Sequence, residues 1–572
     1  MEHLLGTGVS KGIAIGSVLV KKESSSDFQK KSITDVEHEW DRFLKAKEEG
    51  RQQLEVLVQQ SREKIGEDEA QIFEAHILIL EDEELANLVK TQIDNQKKNT
   101  EWAVHEAAEH FAVILEGLED AYLKERAHDI RDVSARLIRI LSGTDKHEMP
   151  VMDKPYIIVA RDLLPGEMVH IDKNIVLGII TEAGAKTSHT AILAKAMGVP
   201  AIVGAEGILE KVKDYETIVF DGEFGTIYIN PEEDVLGQYK QKLEALRIQK
   251  KELEGFKDKL SITKDGIAVE LFGNMASIAE LPGLIENGAQ GIGLFRTEFL
   301  YTTQDTAPTE EEQFEIYKHT AEKMHGKTVI IRTMDIGGDK EIPYLGLEKE
   351  ENPFLGCRGI RLCFDKVDIW KVQLRALLRA SIYGDIRIML PMISVIEEVR
   401  MAKEIINEVK AELKGSGILY NENLEIGIMI ETPAAAIIAD SMASEVDFFS
   451  IGTNDLIQYT LACDRMNPKI SYLYSQFNPS VLRLIKHIID TGHEYGIKVG
   501  MCGEAAGDTR LIPLFVGMGL DEFSMNTSGL LEAKKVVTQT SKHEMKEAVS
   551  SVLKLKSAQE VETYLRTMLQ IK

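Results

Sequence analysis

Cysteine is scarce in this chain, with four among 572 residues at Cys357, Cys363, Cys463 and Cys502 and no CxxC pair. That excludes both a disulfide-stapled scaffold and a thiolate zinc site. Proline is absent before Pro150 and glycine is sparse from Ile33 to Ser142, so little in that stretch interrupts helices. Positive charge is in deficit: 67 Lys and Arg face 93 Asp and Glu, a net charge of −26. Bulk nucleic-acid binding needs a basic patch to displace counterions and is not expected. An acidic surface suits a basic protein partner instead. No apolar run of roughly eighteen residues offers a membrane span. Met1–Val20 lacks a basic n-region, and Lys11 and Gly12 interrupt its apolar residues, unlike a signal peptide. A cytoplasmic protein without membrane insertion is the expectation.

What is present is ordinary globular composition, 44% hydrophobic and 28% charged, in a chain longer than the roughly 250 to 300 residues at which single cores stop growing. Between Ile33 and Ser142 the pattern is helical. Ile72, Phe73, His76, Ile77, Ile79 and Leu80, then Trp102, Val104, Ala107, Phe111 and Ile114, mark buried stripes on separate helices. Gly8 to Val20 reads as a strand hairpin. Tyr156–Ala160, Ile175–Ile180, Ala201–Gly204, Thr217–Phe220 and Thr226–Ile229 read as short strands. The simplest organisation is an α/β domain (1–22 plus 147–230) interrupted by an all-helical insertion (23–146). Residues 231–260 are charged and proline-free, so they read as a linker helix or equally as a surface helix of either neighbour.

From Ser261 onward, apolar runs alternate with helical segments: Val269–Asn274, Gly291–Arg296, Val329–Met334, Ile386–Pro391, Glu425–Glu431, Phe448–Thr453, Lys498–Gly503 and Glu522–Met525. Eight such runs predict a (β/α)8 TIM-type barrel over 261–572, a fold whose chemistry gathers at the carboxyl ends of its strands. The run ends turn polar there, at Arg296, Arg332, Asp335, Glu431, Asn454, Asp455, Cys502 and Glu504.

In the first α/β region, His189 stands where a glycine-bearing loop becomes a helix, in Ala183–Pro200. Thr187 and Ser188 are natural N-cap residues, and free N–H groups at a helix start favour an anion. The segment alone fits equally a phosphate-carrying histidine and a histidine that merely fills a helix start.

Arginine suits phosphate and carboxylate because its planar fork donates two parallel hydrogen bonds. Arg296, Arg332, Arg358 and Arg465 are candidates, although each alone fits a structural ion pair and Arg358 has Arg361 close by. Glu431 and Asp455 end neighbouring runs, and two carboxylates completed by substrate oxygens and water make a magnesium-like site. Cys502 fits an inert buried thiol or, at a strand end between glycines, an acid or base. A substrate with phosphate, carboxylate and a carbon awaiting a proton would use all of them together. Phosphoenolpyruvate (PEP) is such a substrate.

Six separated motifs in order carry a resemblance: Gly184–Ala191, Gly291–Leu300, Arg332–Lys340, Asn352–Arg361, Ile451–Thr460 and Met501–Glu504. Together they resemble Enzyme I of the bacterial sugar phosphotransferase system, nearly end to end. The resemblance implies a swivelling phosphohistidine domain and a PEP-binding barrel that uses Mg2+. It implies that Glu431 and Asp455 hold the metal, that Arg296, Arg332, Arg465, Asn454 and Asp455 hold the substrate, with Arg358 as a further candidate, and that His189 attacks phosphorus through Nε2. Cys502 matches the proton donor that completes pyruvate. The implied partners are HPr, a small phosphocarrier docking on the helical insertion, and a second copy of the chain joined through the barrel.

The chain departs from the family's usual glycine at Ala185, arginine at Lys186, aromatic residue at Cys357 and alanine at Gly359. Pyruvate phosphate dikinase and PEP synthase resemble the same regions but add a nucleotide-binding region for which no stretch is left over here. A PEP-sensing regulator would need neither Cys502 nor a complete metal site.

Overall fold

The computed structural model describes residues 2–21, 28–117, 121–143, 154–186, 188–302, 306–337, 342–467 and 469–569. The chain divides into the units Met1–Ile248 and Gln249–Lys572.

The first unit opens with strands β1 (Glu2–Leu5), β2 (Thr7–Ser10) and β3 (Ile13–Val20). Helices α1 (Val36–Lys64), α2 (Glu67–Glu81), α3 (Glu83–Gln96), α4 (Thr100–Glu116) and α5 (Ala121–Ser142) follow. The chain then returns to β4 (Tyr156–Ala160), α6 (Pro165–Val169), β5 (Val176–Thr181), α7 (His189–Met197), β6 (Ala201–Val203), α8 (Ile208–Lys211), β7 (Thr217–Asp221) and β8 (Thr226–Ile229). These strands form one mixed sheet in the order β1-β8-β7-β3-β4-β5-β6-β2, with β3 to β6 parallel.

The expected hairpin over Gly8 to Val20 does not form. β2 pairs with β6 at one edge, whereas β3 lies between β7 and β4, so three strands separate them. Alternation within each run shows a half-buried strand but not its partner.

β4 explains why its run is wholly apolar. Ile157 and Val159 face one core with Val18, Ile202 and Phe220, while Tyr156, Ile158 and Ala160 face another with Leu193 and Ala194 of α7. Both faces are covered, as is usual for parallel strands. The helical insertion has its own core of Phe43, Leu54, Phe73, Val89, Ile93, Val104 and Leu137. Val104 and Ala107 are buried as expected, but Ile114 is 51% exposed. The buried line of α4 runs through Ala103, Ala107, Ala108 and Ala112, and Ile114 falls outside it. Helix α9 (Glu233–Glu254) then crosses from the first unit into the second, with only Tyr239 buried.

The second unit is a closed parallel barrel of β9 (Glu270–Met275), β10 (Ile292–Arg296), β11 (Val329–Arg332), β12 (Ile386–Leu390), β13 (Ile426–Ile430), β14 (Phe448–Ile451), β15 (Lys498–Met501) and β16 (Glu522–Met525). All eight expected strands are present, differing by a residue or two at their ends. Ile292, Phe295, Ile428 and Val499 belong to the outer core that the helices cover. Leu294, Ile330, Met389, Met429, Phe448 and Cys502 form a separate cluster inside the barrel. Among the described residues no helix is long and apolar enough to cross a membrane.

Candidate active site

Two sets of side chains carry chemistry, one in each unit. In the first unit α7 begins at His189 itself. Ser188 caps it in an extended conformation, its hydroxyl accepting from the Ala191 N–H at 3.4 Å. Thr187, the other expected cap, lies outside the described residues. His189 Nε2 is 3.4 Å from Asp129 Oδ1 on α5, and His76 Nε2 on α2 is 3.4 Å from the same oxygen. The His76 and His189 rings meet edge to face, their centroids 6.3 Å apart. Burial lowers the His189 pKa, with Asp129 opposing, so the imidazole is held toward its neutral, nucleophilic form. Burial pushes nearby Asp132 up to about 6, with His76 opposing and Asp162 and Asp129 adding to the rise. The loop before α7 tolerates Ala185 because its backbone has no positive φ there.

In the second unit the carboxyl ends of the strands enclose a cavity of about 210 Å³. Arg296, Arg332, Arg358, Glu431, Asn454, Asp455, Arg465 and Cys502 all line it. Glu504 does not; it is exposed, and its backbone N–H donates to Asn454 Oδ1 at 3.0 Å. The lining adds Glu298 and Asp335, so four arginines face four carboxylates.

The arginines are not equivalent. Arg332 is buried, with Nη2 3.0 Å from Glu298 Oε1 and Nη1 2.9 Å from Asp335 Oδ2. Burial works against its charge, but Glu298, Asp335 and Glu431 outweigh it and raise its pKa. Arg358 grips Asp335 with two bonds, at 3.2 Å from Nε and 2.9 Å from Nη2. Its Nη1 lies 3.6 Å from Asp455 Oδ1, and Arg465 Nη1 lies 3.8 Å from that oxygen. Arg296 makes no ion pair among the described residues.

Glu431 is fully enclosed. Its Oε1 accepts from the Met392 N–H at 2.6 Å, and burial with Asp455 and Asp335 beside it drives its pKa upward. Asp455 Oδ1 is buried without a hydrogen bond. Two crowded carboxylates, one with an unsatisfied oxygen, fit a hard cation. Among the described residues no group of three or more His, Cys, Asp or Glu side chains could hold a metal alone, so such an ion needs further oxygens from substrate and water.

Met392 adopts φ 60, and Gly359 beside it adopts φ 58. A Cβ on Gly359 would stand 2.8 Å from Met392 Cβ, which accounts for glycine at this departure from the family. Cys502 is buried as part of the inner apolar cluster, its Sγ 3.9 Å from the Ile451 carbonyl. Burial pushes the thiol up to about 11, with Ser450 and Arg332 pulling the other way, so it keeps its proton at neutral pH.

Asp129 and His76 carried no functional signal in the sequence and meet His189 only through packing between distant segments, whereas Glu298 lies within the Gly291–Leu300 motif, two residues beyond Arg296.

The chain matches the family described as PEP-utilising enzyme, PEP-binding domain over residues 250–542. It also matches PEP-utilising enzyme, N-terminal over 5–126 and PEP-utilising enzyme, mobile domain over 152–225. A phosphoenolpyruvate-protein phosphotransferase of Listeria monocytogenes serovar 1/2a is 44% identical over 560 residues, covering 98% of each chain. The chain belongs to the phosphoenolpyruvate-protein phosphotransferase family. Another member, from Priestia megaterium, is 43% identical over 570 residues and covers 100% of both chains. The solution NMR structure of an Enzyme I protein (nEIt) is 34% identical, covers 43% of this phosphotransferase and 99% of that chain, and superimposes with a TM-score of 0.36.

Proposed function

We propose that the protein takes the phosphoryl group of PEP onto His189, releases pyruvate, and passes the group to a histidine of HPr, the first step of sugar uptake by the phosphotransferase system. The observation that carries this reading is the single barrel cavity that gathers four arginines, the Glu431–Asp455 pair and a protonated Cys502.

In this reading Arg296, Arg332 and Arg465, with Asn454 and Asp455, bind the phosphate and carboxylate of PEP. Arg358, which also lines the cavity, holds Asp335 with two hydrogen bonds and lies 3.6 Å from Asp455. Their fixed charges stabilise the loose transition state of phosphoryl transfer, in which positioning and electrostatics supply most of the rate. Glu431 and Asp455 would hold Mg2+, which when bound supplies charge neutralisation at the phosphoryl oxygens. His189, presented neutral, directs Nε2 at phosphorus in line with the departing enol oxygen, a step for which it must leave Asp129. The P–O bond breaks, and the enolate carbon takes the Cys502 proton, giving pyruvate and a thiolate.

The working assignment is 1–22 plus 147–230 as the phosphohistidine domain, 23–146 as the HPr-binding insertion, 231–260 as the linker and 261–572 as the PEP barrel. We place the protein in the cytoplasm as a homodimer joined through the barrel.

Incubation with 32P-labelled PEP and Mg2+ tests the reading. An acid-labile, base-stable phosphoprotein with release of pyruvate is expected. Binding of PEP without pyruvate would favour a sensor, and turnover that depends on ATP or AMP without a carrier would favour a dikinase-like enzyme.

A further inference from the structure

The interior of a (β/α)8 barrel is normally packed with apolar layers, yet a carboxyl group sits inside this one. Glu522, the first residue of β16, is 6% exposed, and its Oε1 has no hydrogen-bond partner. The strands around it leave room: a Cβ on Gly500 of β15 would stand 2.5 Å from Glu522 Oε2, and one on Gly293 of β10 would collide with Oε1. A buried carboxyl oxygen without a bonding partner costs free energy, and a carboxyl whose space is kept by two glycines calls for a function.

Its position supplies one. Side chains alternate along a strand, so Gly500 and Cys502 point into the same interior, about 6.6 Å apart along β15. The Glu522 carboxyl therefore occupies the place of the missing side chain one layer below the Cys502 thiol. Ser450 of β14 aligns with Gly500 in register. Its hydroxyl is buried, lacks a hydrogen bond of good geometry, and acts on Cys502 to favour the thiolate. On the other side the Ser524 hydroxyl bonds Asn274 Oδ1 at 2.6 Å, and Asn274 Nδ2 donates to the Cys502 carbonyl at 3.0 Å. Below Glu522 the barrel reaches water through exposed Lys498 and half-buried Glu270, paired at 2.8 Å. Polar groups thus occur at successive levels between the amino-terminal mouth of the barrel and the thiol, with Glu522 Oε1 and the Ser450 hydroxyl each lacking a hydrogen bond.

We propose that Glu522 is the internal proton donor that restores Cys502 after each turnover, acting through the thiol without touching substrate. The inference rests on the reading of Cys502 as the acid that protonates enolpyruvate. The steps balance. The thiol proton forms the new C–H bond of pyruvate, the thiolate takes the Glu522 carboxyl proton by way of the Ser450 hydroxyl, and the carboxylate recovers a proton from water at the amino-terminal mouth. Each turnover consumes one solvent proton.

The energetics agree with this direction. Burial pushes Glu522 up to about 8, with Glu270 and Asp521 adding to the rise and Arg387 and Lys498 opposing it. Transfer from such an acid to a thiolate whose own acid is pushed up to about 11 runs downhill.

The test is rapid-quench pyruvate formation by the full-length enzyme with PEP, Mg2+ and excess HPr, comparing wild type, Glu522→Gln and Ser450→Ala. Glu522→Gln should form the first equivalent of pyruvate at the wild-type rate, because the thiol begins protonated; Ser450→Ala, whose lost hydroxyl also acts on the thiol, is read by the ratio of later to first turnovers. Later turnovers should be slower by roughly tenfold or more. Unchanged steady-state turnover, or an equal slowing of first and later turnovers, overturns the proposal. Absence of pyruvate from the wild type would reject the function itself instead.

Thermal unfolding gives a readout that needs no turnover. Glu522 retains a proton in the fold that an ordinary glutamate loses near 4.5. Its contribution to stability is therefore present below that pH and is lost as pH climbs through about 8. Glu522→Gln should be more stable than wild type at pH 8 and should lack that part of the decline. An identical pH dependence in both proteins would overturn the proposal.

Discussion

His189 Nε2 lies 3.4 Å from Asp129 Oδ1, across the junction between the helix that begins at the histidine and the last helix of the insertion. The nitrogen assigned to attack phosphorus therefore faces a carboxylate that must be left behind first, and a phosphoryl group on that nitrogen would meet like charge on returning. Asp129 is also the main influence raising the His189 pKa against burial. Asp129→Asn should lower the titration midpoint of His189, as followed by the ring resonances in NMR. A midpoint that stays or rises would show that the carboxylate does not act on the ring.

Cys502→Ala should bind PEP with near wild-type affinity and form pyruvate roughly 10²- to 10⁴-fold more slowly, the range in which a positioned general acid contributes. Equilibrium binding alongside a coupled pyruvate assay separates the two effects. Undiminished turnover would return the thiol to an inert place in the core.

Arg296 and Arg358 should part company on substitution. Arg296 has no ionic partner among the described residues, so Arg296→Met should leave stability within about 0.5 kcal/mol of wild type while weakening PEP binding. Arg358→Met strips the bidentate partner from buried Asp335 and should cost about 3 kcal/mol. Denaturant unfolding and KM for PEP, measured on both variants, check the contrast.

The barrel and its cavity were legible because eight apolar runs alternate with helical segments and several of them turn polar at the carboxyl end, where a parallel barrel gathers its loops. Arg332, Glu431 and Cys502 follow directly from that rule. What stayed hidden depends on chain segments meeting far apart in sequence. Alternation in Thr7–Ser10 and Ile13–Val20 suggested a hairpin, but edge pairing with Ala201–Val203 decided otherwise. His76 read as one residue of an apolar stripe and became a neighbour of His189 only when the second and fifth helices packed together. Glu522 opened an expected strand without standing out, because its enclosure follows from glycines on two other strands.

Gly359→Ala would restore the family's usual alanine and should nevertheless harm this chain. The added Cβ would crowd Met392 from a backbone at φ 58, at a cost of about 1 to 3 kcal/mol. Because the Met392 N–H holds Glu431 at 2.6 Å, more Mg2+ should then be needed for half-maximal turnover. A Mg2+ titration of PEP turnover together with a melting curve measures both effects.

The most direct test of the central assignment is transfer of label from 32P-PEP to HPr by wild type and His189→Ala, with pyruvate counted in parallel. Wild type should carry label on His189, label HPr and release one pyruvate for each phosphoryl group found on the two proteins together, while His189→Ala should do none of these though still folded. Labelled HPr in the presence of His189→Ala, or label on another residue of the wild type, would contradict the account.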